Sequence, residues 1–189
     1  INTKYLLVVM CRKDCVMNEV ISNIISRRSI RKFSDKKIDK SILEELVFTG
    51  LHAPSGMGKK TWKFTVVTNE EAIKKLCKVV GDVLGRDGYN MYNPVALIIP
   101  SNEKESAWGK EDNACALENI FLAANSYGIG LVWINQLHGI CDNKEVRAVL
   151  DEFGIPSNHI VYGIAALGYK ADDFVVSEKQ VVGETAFIE

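Results

Sequence analysis

The sequence predicts an α+β fold built on a mixed sheet, and three observations carry the prediction. Segments with apolar residues at helical spacing alternate with short apolar or β-rich runs, and two helical segments come before the first strand-like one. The most apolar helical segment, from Asp112 to Tyr127, has Ala114, Leu117, Phe121, Leu122 and Ala124 spread around most of its circumference, so it is expected in the centre of the molecule. With 189 residues, 47% of them hydrophobic, the chain has the size and composition of one domain around one core.

The chain begins INTKYLLVVMCRKDCVM. Its apolar run YLLVVMC is too short to span a bilayer and lacks a small-residue cleavage site, so neither a membrane nor a secretion signal is read from it. Residues 1–16 are taken as an N-terminal appendage of unassigned origin, Met17 as the natural start, and 17–189 as a single domain. Val20, Ile21, Ile24 and Ile25 predict a first amphipathic helix over about Asn18 to Arg27. Asp39 is the expected cap of a second helix with Ile42, Leu43, Leu46, Val47 and Leu51 along one face, ending before Pro54. A turn-rich loop, APSGMGKK, leads into WKFTVVT, which reads as a strand.

Asn69 is the expected cap of a third helix. Glu70 and Glu71 fall in its first turn, Ile73, Leu76, Cys77 and Val80 on its buried side, and Gly81 at its end. GDVLGRDGYNMYN reads as a loop, and VALIIP, bounded by Pro94 and Pro100, as a buried strand. Beyond the central helix, Gly128 and Gly130 stop the helical pattern and LVWIN reads as extended. Asp142 is the expected cap of NKEVRAVLDEF, Gly154 and Pro156 end that helix, and IVYGIAALGY reads as the last core strand. The tail from Ala171 to Glu189 is too apolar in FVV, VV and AFI to be left in solvent and is expected to lie on another subunit.

The charge balance excludes some functions. With 23 basic and 24 acidic residues and a formal net charge of -1, no overall field draws the chain to nucleic acid or to an anionic membrane. Five cysteines without a CxxC pair suit neither a disulfide framework nor a zinc site, and read as reduced thiols of a cytoplasmic protein. The CxxxC spacing of Cys11 and Cys15 lacks further ligands nearby, and His52, His138 and His159 lie far apart with no partner at ligand spacing, so no metal site is predicted. There is no GxSxG around Ser55 for a nucleophile. GxxxxGK[ST] is missing too, and GIG at 128–130 lacks a third glycine.

What stands out is SRRSIRKF, residues 26–33, which gathers Arg27, Arg28, Arg31 and Lys32. A phosphate monoester is best held by guanidinium groups with a hydroxyl beside them, and Arg27 and Arg31 share a face if the first helix continues one more turn. Basic residues at a helix end also offset its dipole, so from spacing alone a phosphate site, a solvated helix end and a nucleic-acid patch all remain open.

SRRSIRKF followed in order by APSGMGKKTWKFTVVT, DNACALENIFLAANSYGIGLVWIN and GIAALGYKADD resembles the nitroreductase family of FMN-dependent oxidoreductases, from Met17 to about Asp173. The resemblance implies a mainly antiparallel central sheet flanked by helices, with the C-terminal tail extending onto a partner subunit. It further implies an obligate homodimer holding two FMN molecules at the subunit interface. Carried over by position, Arg27, Arg28, Ser29 and Arg31 would hold the FMN phosphate and reach the ring, Arg31 near its N1 and O2 edge. Pro54, Ser55, Gly56 and Met57 would contact the ring from the other subunit. Trp133, Ile134, Asn135 and Gln136 would run along its far side, with a backbone N–H near N5. Lys179, or failing it Lys170, would be the C-terminal basic residue at the phosphate. Asn119 matches a polar family position on the buried helix, or is a satisfied core amide.

The activity so implied is transfer of electrons from NADH or NADPH, through flavin N5, to nitroaromatics, quinones or similar electron-poor acceptors in a ping-pong cycle. No protein side chain need be catalytic, because the hydride chemistry belongs to the cofactor, and the protein supplies charge and hydrogen bonds around it. One departure stands against the family pattern PSxxNxQPW: here Gly58, Lys60 and Thr61 occupy the corresponding positions, with Lys59 and Lys60 as replacement cations. It keeps a second function in view, a flavin-binding carrier or sensor with little turnover. A nucleic-acid module using RRSIRK with Lys59 and Lys60 is the third, and would show binding that falls steeply with salt.

Overall fold

The computed structural model describes residues 18–189; the appendage expected over 1–16 and the Cys11 and Cys15 pair lie outside the described residues. Five helices, α1 Glu19–Ser26, α2 Lys40–Leu51, α3 Glu70–Leu84, α4 Gly109–Ser126 and α5 Lys144–Glu152, surround five strands, β1 Trp62–Val67, β2 Ala96–Glu103, β3 Gly130–Ile134, β4 His159–Ile160 and β5 Ile164–Gly168. Short 3-10 turns occupy Gly56–Gly58 and Gln136–Gly139.

The strands run β1-β2-β5-β3, with β4 also on β2, and each ladder between them is antiparallel. The parallel component among the described residues is a single bridge between Ser29 and Leu131, so the sheet is mixed and mainly antiparallel, as predicted. Alternation along β2 builds two cores. Leu97 and Ile99 point to the side covered by α3 and α5, with Leu76, Val80, Val146 and Leu150. Ile98 points to the side covered by α2 and α4, with Leu46, Leu117 and Ile120. Both faces of β2 are therefore covered, which is why VALIIP is continuously apolar rather than alternating.

Local chemistry explains most element boundaries. Asn69 caps α3 as predicted, accepting from Ala72 N–H at 2.9 Å. The helix runs past Gly81 to Leu84, where Gly85 in the left-handed region ends it. Gly81 is small for a packing reason instead: a Cβ there would lie 2.9 Å from the Arg86 carbonyl oxygen. Asp142 is not the cap of α5. That role falls to Asn143, which accepts from Glu145 and Val146 N–H, while Asp142 pairs with Lys104 at 2.6 Å. Asp39 stands at the start of α2 but its side chain makes no capping bond. The expected last strand is two strands, β4 and β5.

Three differences bear on function. α1 ends at Ser26 and Arg27 turns to φ -55, ψ 134, so Arg27 and Arg31 do not share a helical face. α4 is not enclosed all round: Ala116, Leu117, Ile120, Phe121 and Ala124 are buried, but Ala114 and Cys115 are exposed. α1 buries none of its residues, and its Val20, Ile21, Ile24 and Ile25 face outward, as do Val181, Val182, Phe187 and Ile188 of the tail.

Candidate functional site

The cation segment leaves α1 extended and lies along the edge of β3. Ile30 N–H donates to the Leu131 carbonyl at 2.8 Å and Ser34 N–H to that of Tyr169 at 2.8 Å, while Phe33 bridges to Lys170. Ile30 packs into the space left by Gly130, and Phe33 into that left by Gly168. With these apolar side chains turned inward, the segment covers the sheet edge and leaves its cations outside.

The cations then divide. Arg27 is the best seated: its side chain is 23% exposed, with Nε 3.6 Å from Glu118 Oε1 and Cζ 5.9 Å from the Phe121 ring centre. Phe121 meets Trp133 edge-on at 6.0 Å, which brings Arg27 beside the end of β3. Arg28 has another use. Its Nη1 donates to the carbonyls of Ile25 at 2.7 Å, Ser26 at 3.2 Å and Arg27 at 3.0 Å, closing the C-terminus of α1, so for this residue the helix-end reading holds. Arg31 is exposed and makes no ion pair among the described residues; its Cζ lies 6.0 Å from the Tyr92 ring centre. Ser29 is half-buried beside Leu131.

In the sequence Tyr92 is merely part of a loop. It sits in a turn where Met91, Tyr92 and Asn93 all have positive φ, 50°, 70° and 52°, a backbone state that costs roughly 1–3 kcal/mol per residue and persists only when its surroundings hold it. Met91 is 1% exposed and anchors the turn, and Asn90 Oδ1 accepts from Tyr92 N–H at 2.9 Å.

At the end of β3, Ile134 is buried and Asn135 exposed. Trp133 is partly exposed, its ring lying against Gly163. Asn135 N–H donates to Gln136 Oε1 at 3.1 Å. Asn119 donates to the Thr49 carbonyl at 3.0 Å, which makes it a satisfied amide joining α4 to α2. Lys170 donates to the carbonyls of Ala171 and Phe174, and Lys179 lies in the exposed tail.

The loop carrying Pro54, Ser55, Gly56 and Met57 sits at the other end of α4, held by a residue that sequence reasoning missed. Asp112, 4% exposed, accepts from Ser55 Oγ at 2.8 Å and from Gly56 N–H at 2.8 Å. Its one sequence signal is an acid in a helix's first turn, which reads as a dipole partner. Gly56 lies under Trp108, whose ring atoms would be 2.5–2.6 Å from an added Cβ, and Lys59 Nζ stands 5.6 Å over that ring. No hydrogen bond or ion pair among the described residues joins this loop to the cation cluster. From Asp112 to Glu118 the helix axis advances about 9 Å.

The site therefore has two halves: Arg27, Ser29 and Arg31 along β3, and the Pro54–Met57 loop. The free guanidinium donors of Arg27 and Arg31 beside a hydroxyl suit a phosphate ester, so the residues present fit the expected cofactor. A cleft of about 1030 Å³ opens elsewhere, along α3 and residues 86–95, and none of the predicted site residues lines it. Among the described residues, no three His, Cys, Asp or Glu side chains are grouped to hold a metal ion, Cys77, Cys115 and Cys141 are free thiols, and no helix is long and apolar enough to cross a membrane.

A sequence model described as "Nitroreductase family" matches residues 24–86 and 85–169. A solved nitroreductase with bound FMN from Bacteroides fragilis NCTC 9343 is 41% identical, with a TM-score of 0.83 over 90% of this chain and 98% of that one. A relative from Archaeoglobus fulgidus, named among NADH dehydrogenases and NAD(P)H nitroreductases, is 32% identical over 164 residues, covering 83% of this chain and 88% of its own. A nitroreductase with bound FMN from Desulfitobacterium hafniense DCB-2 shares the fold, with a TM-score of 0.79 at 19% identity over 92% of this chain and 100% of that one.

Proposed function

The chain belongs to the nitroreductase family, and on that premise we propose that it is an FMN-dependent oxidoreductase. It takes electrons from NADH or NADPH and passes them to nitroaromatics, quinones or similar electron-poor acceptors in a ping-pong cycle, as a cytoplasmic homodimer. The observation that carries this reading is the pair Arg27 and Arg31 on one segment along the edge of β3, with guanidinium donors to spare. When bound, FMN supplies the hydride chemistry at its N5.

The protein's part is to bind and orient. Arg27 and Arg31 offer charge-assisted hydrogen bonds to a phosphate ester, with the Ser29 hydroxyl between them. Arg28, committed to the carbonyls of α1, fixes the turn from which Arg27 projects. Trp133–Gln136 forms the wall along the ring, and Arg31 answers negative charge at the pyrimidine edge. Pro54, Ser55, Gly56 and Met57 complete the site from the second subunit, a reading supported by the separation of the two halves within one chain. The outward apolar face of α1, with the exposed apolar tail residues, supplies the surface that a second copy would cover. A donor and an acceptor that use one open face in turn need no separate dinucleotide fold.

Purified protein is expected to be yellow and to oxidise NADH or NADPH when nitrofurazone or a quinone is present. Arg27→Ala and Arg31→Ala are each expected to weaken FMN binding by about 1–3 kcal/mol, as for a lost hydrogen bond to a charged group. Full flavin occupancy of both variants after dialysis refutes the phosphate assignment. Flavin that neither nicotinamide bleaches under anaerobic conditions would leave a carrier in place of the enzyme.

A further inference from the structure

We infer that Asp112 is a positioning residue that acts in trans, setting the Pro54–Met57 loop against the cofactor of the opposite subunit. The inference rests on the FMN reading above and assigns to one buried carboxylate the shape of that half of the site. Asp112 makes no ion pair among the described residues and is 4% exposed. A buried carboxylate without a cation is stable only if strong donors satisfy it. Here one oxygen accepts the Ser55 hydroxyl and the other the Gly56 N–H, both at 2.8 Å. The Ser55 oxygen in turn accepts Lys60 N–H at 2.9 Å, so the loop is tied at both ends to a single acid.

The loop needs such a tie. Met57 and Lys60 have φ of 53° and 50°, and Gly58 66°, a conformation that side-chain-bearing residues leave unless held. Because Ser55 spends its hydroxyl on Asp112 and Lys60, the loop turns outward Pro54, the backbone and the Met57 side chain, which is 79% exposed. Where the family pattern carries amides, this loop carries Gly58 and Lys60, and Thr61, in place of its proline, turns Oγ1 back to donate to Asn102 Oδ1 at 2.6 Å. Asp112 itself is buried in the first turn of a helix whose Gly109 is backed by Asn102 and Tyr162.

The test uses full-length protein carrying FMN, with Asp112→Ala, Asp112→Asn and Ser55→Ala, and reads FMN dissociation by the recovery of free-flavin fluorescence. Asp112→Ala is expected to weaken FMN at least tenfold, and Asp112→Asn less, because one oxygen still accepts. Asp112→Ala combined with Ser55→Ala should fall well short of the sum of the two single effects, since the contact between them is shared and only the Lys60 N–H bond to Ser55 is lost in addition. The visible band of bound FMN shifts in Asp112→Asn, which a contact that merely stabilises the fold leaves unmoved.

The decisive measurement is a mixed dimer of one Asp112→Ala chain and one Arg31→Ala chain, isolated with two affinity tags. If Asp112 acts in trans, one site pairs an unaltered cation cluster with an unaltered loop, and the dimer keeps one tightly bound FMN. Two equally weakened sites, or wild-type affinity in the Asp112→Ala homodimer, would overturn the inference. A wild-type homodimer that binds no FMN would instead overturn the cofactor reading and, with it, the positioning role of Asp112. If Asp112→Ala fails to assemble, Asp112→Asn and Ser55→Ala carry the same comparison.

Discussion

Gly163→Ala tests how the wall beside the cations is packed. Gly163 joins β4 to β5, and a Cβ there would lie 2.6 Å from Cε2, 2.6 Å from Nε1 and 2.7 Å from Cζ2 of Trp133. Carbon contacts relax near 3.5–4.0 Å, so the ring or the backbone must give by about 1 Å. Overpacking of this kind costs about 1–3 kcal/mol. For a chain of this size each kcal/mol lowers Tm by about 2–4 °C, giving a fall of roughly 2–12 °C. The displaced ring pushes on Phe121, 6.0 Å away, and through it on Arg27, so FMN affinity should fall with stability. Thermal unfolding followed by tryptophan emission, with FMN titration, reads both effects. Gly139→Ala is the control: nothing lies within 4 Å of a Cβ there, and it should stay within about 0.5 kcal/mol of the unaltered protein. A Gly163→Ala variant with unchanged Tm and unchanged emission would refute the packing argument.

Glu118→Gln removes the acid that shares Arg27; the pair is partly exposed and worth at most about 1 kcal/mol, so FMN should bind about two- to fivefold tighter by equilibrium dialysis, and weaker binding would mean that Glu118 orients Arg27 rather than competing for it. Tyr92→Phe keeps the ring beside Arg31 and should be neutral, while Tyr92→Ala gives up about 0.5–1 kcal/mol of cation–π attraction and should weaken FMN; equal behaviour of the two variants contradicts that role. His159 is buried and hydrogen-bonded to Ser101 at 3.0 Å, and burial holds its pKa below the usual value, with Lys63 and Arg147 acting in the same sense and Glu103 opposing. The unfolded chain takes up this proton near pH 6.5 and the folded chain only below it, so the stability is fully present above about pH 6.5 and lost as pH falls toward the folded pKa, by at most about 1.4 kcal/mol per pH unit. Denaturant midpoints between pH 5.5 and 7.5 should show this slope, and His159→Gln should flatten it.

The parts of the fold legible in advance are those whose cause is local. Ile73, Leu76 and Val80 at helical spacing behind Asn69 announce α3, and the apolar run at 96–99 announces a strand covered on both faces. Two caps one residue apart show the limit: Asp142 and Asn143 both suit the position, and Asn143 takes it while Lys104, brought over by β2, engages Asp142. Gly81 reads as a helix end and Gly163 as part of one continuous strand, yet Gly81 lies inside α3 and Gly163, between β4 and β5, makes room for Trp133. For Asp142 and Gly163 the neighbour that matters, Lys104 or Trp133, arrives through folding rather than along the chain.

By itself the sequence determined where most helices and strands lie, that a cation cluster follows the first helix, and, through four ordered motifs, the family. Tertiary structure decided what each cation does: Arg28 closes its own helix, Arg27 leans on Phe121 of α4, and Arg31 is left over Tyr92 without an ion pair among the described residues. It also decided that Asp112, 57 residues from Ser55 along the chain, holds the loop. The physical reason is that spacing and capping act within a few residues. Burial and the choice of hydrogen-bond partner depend instead on segments that meet only when the two cores close on the sheet.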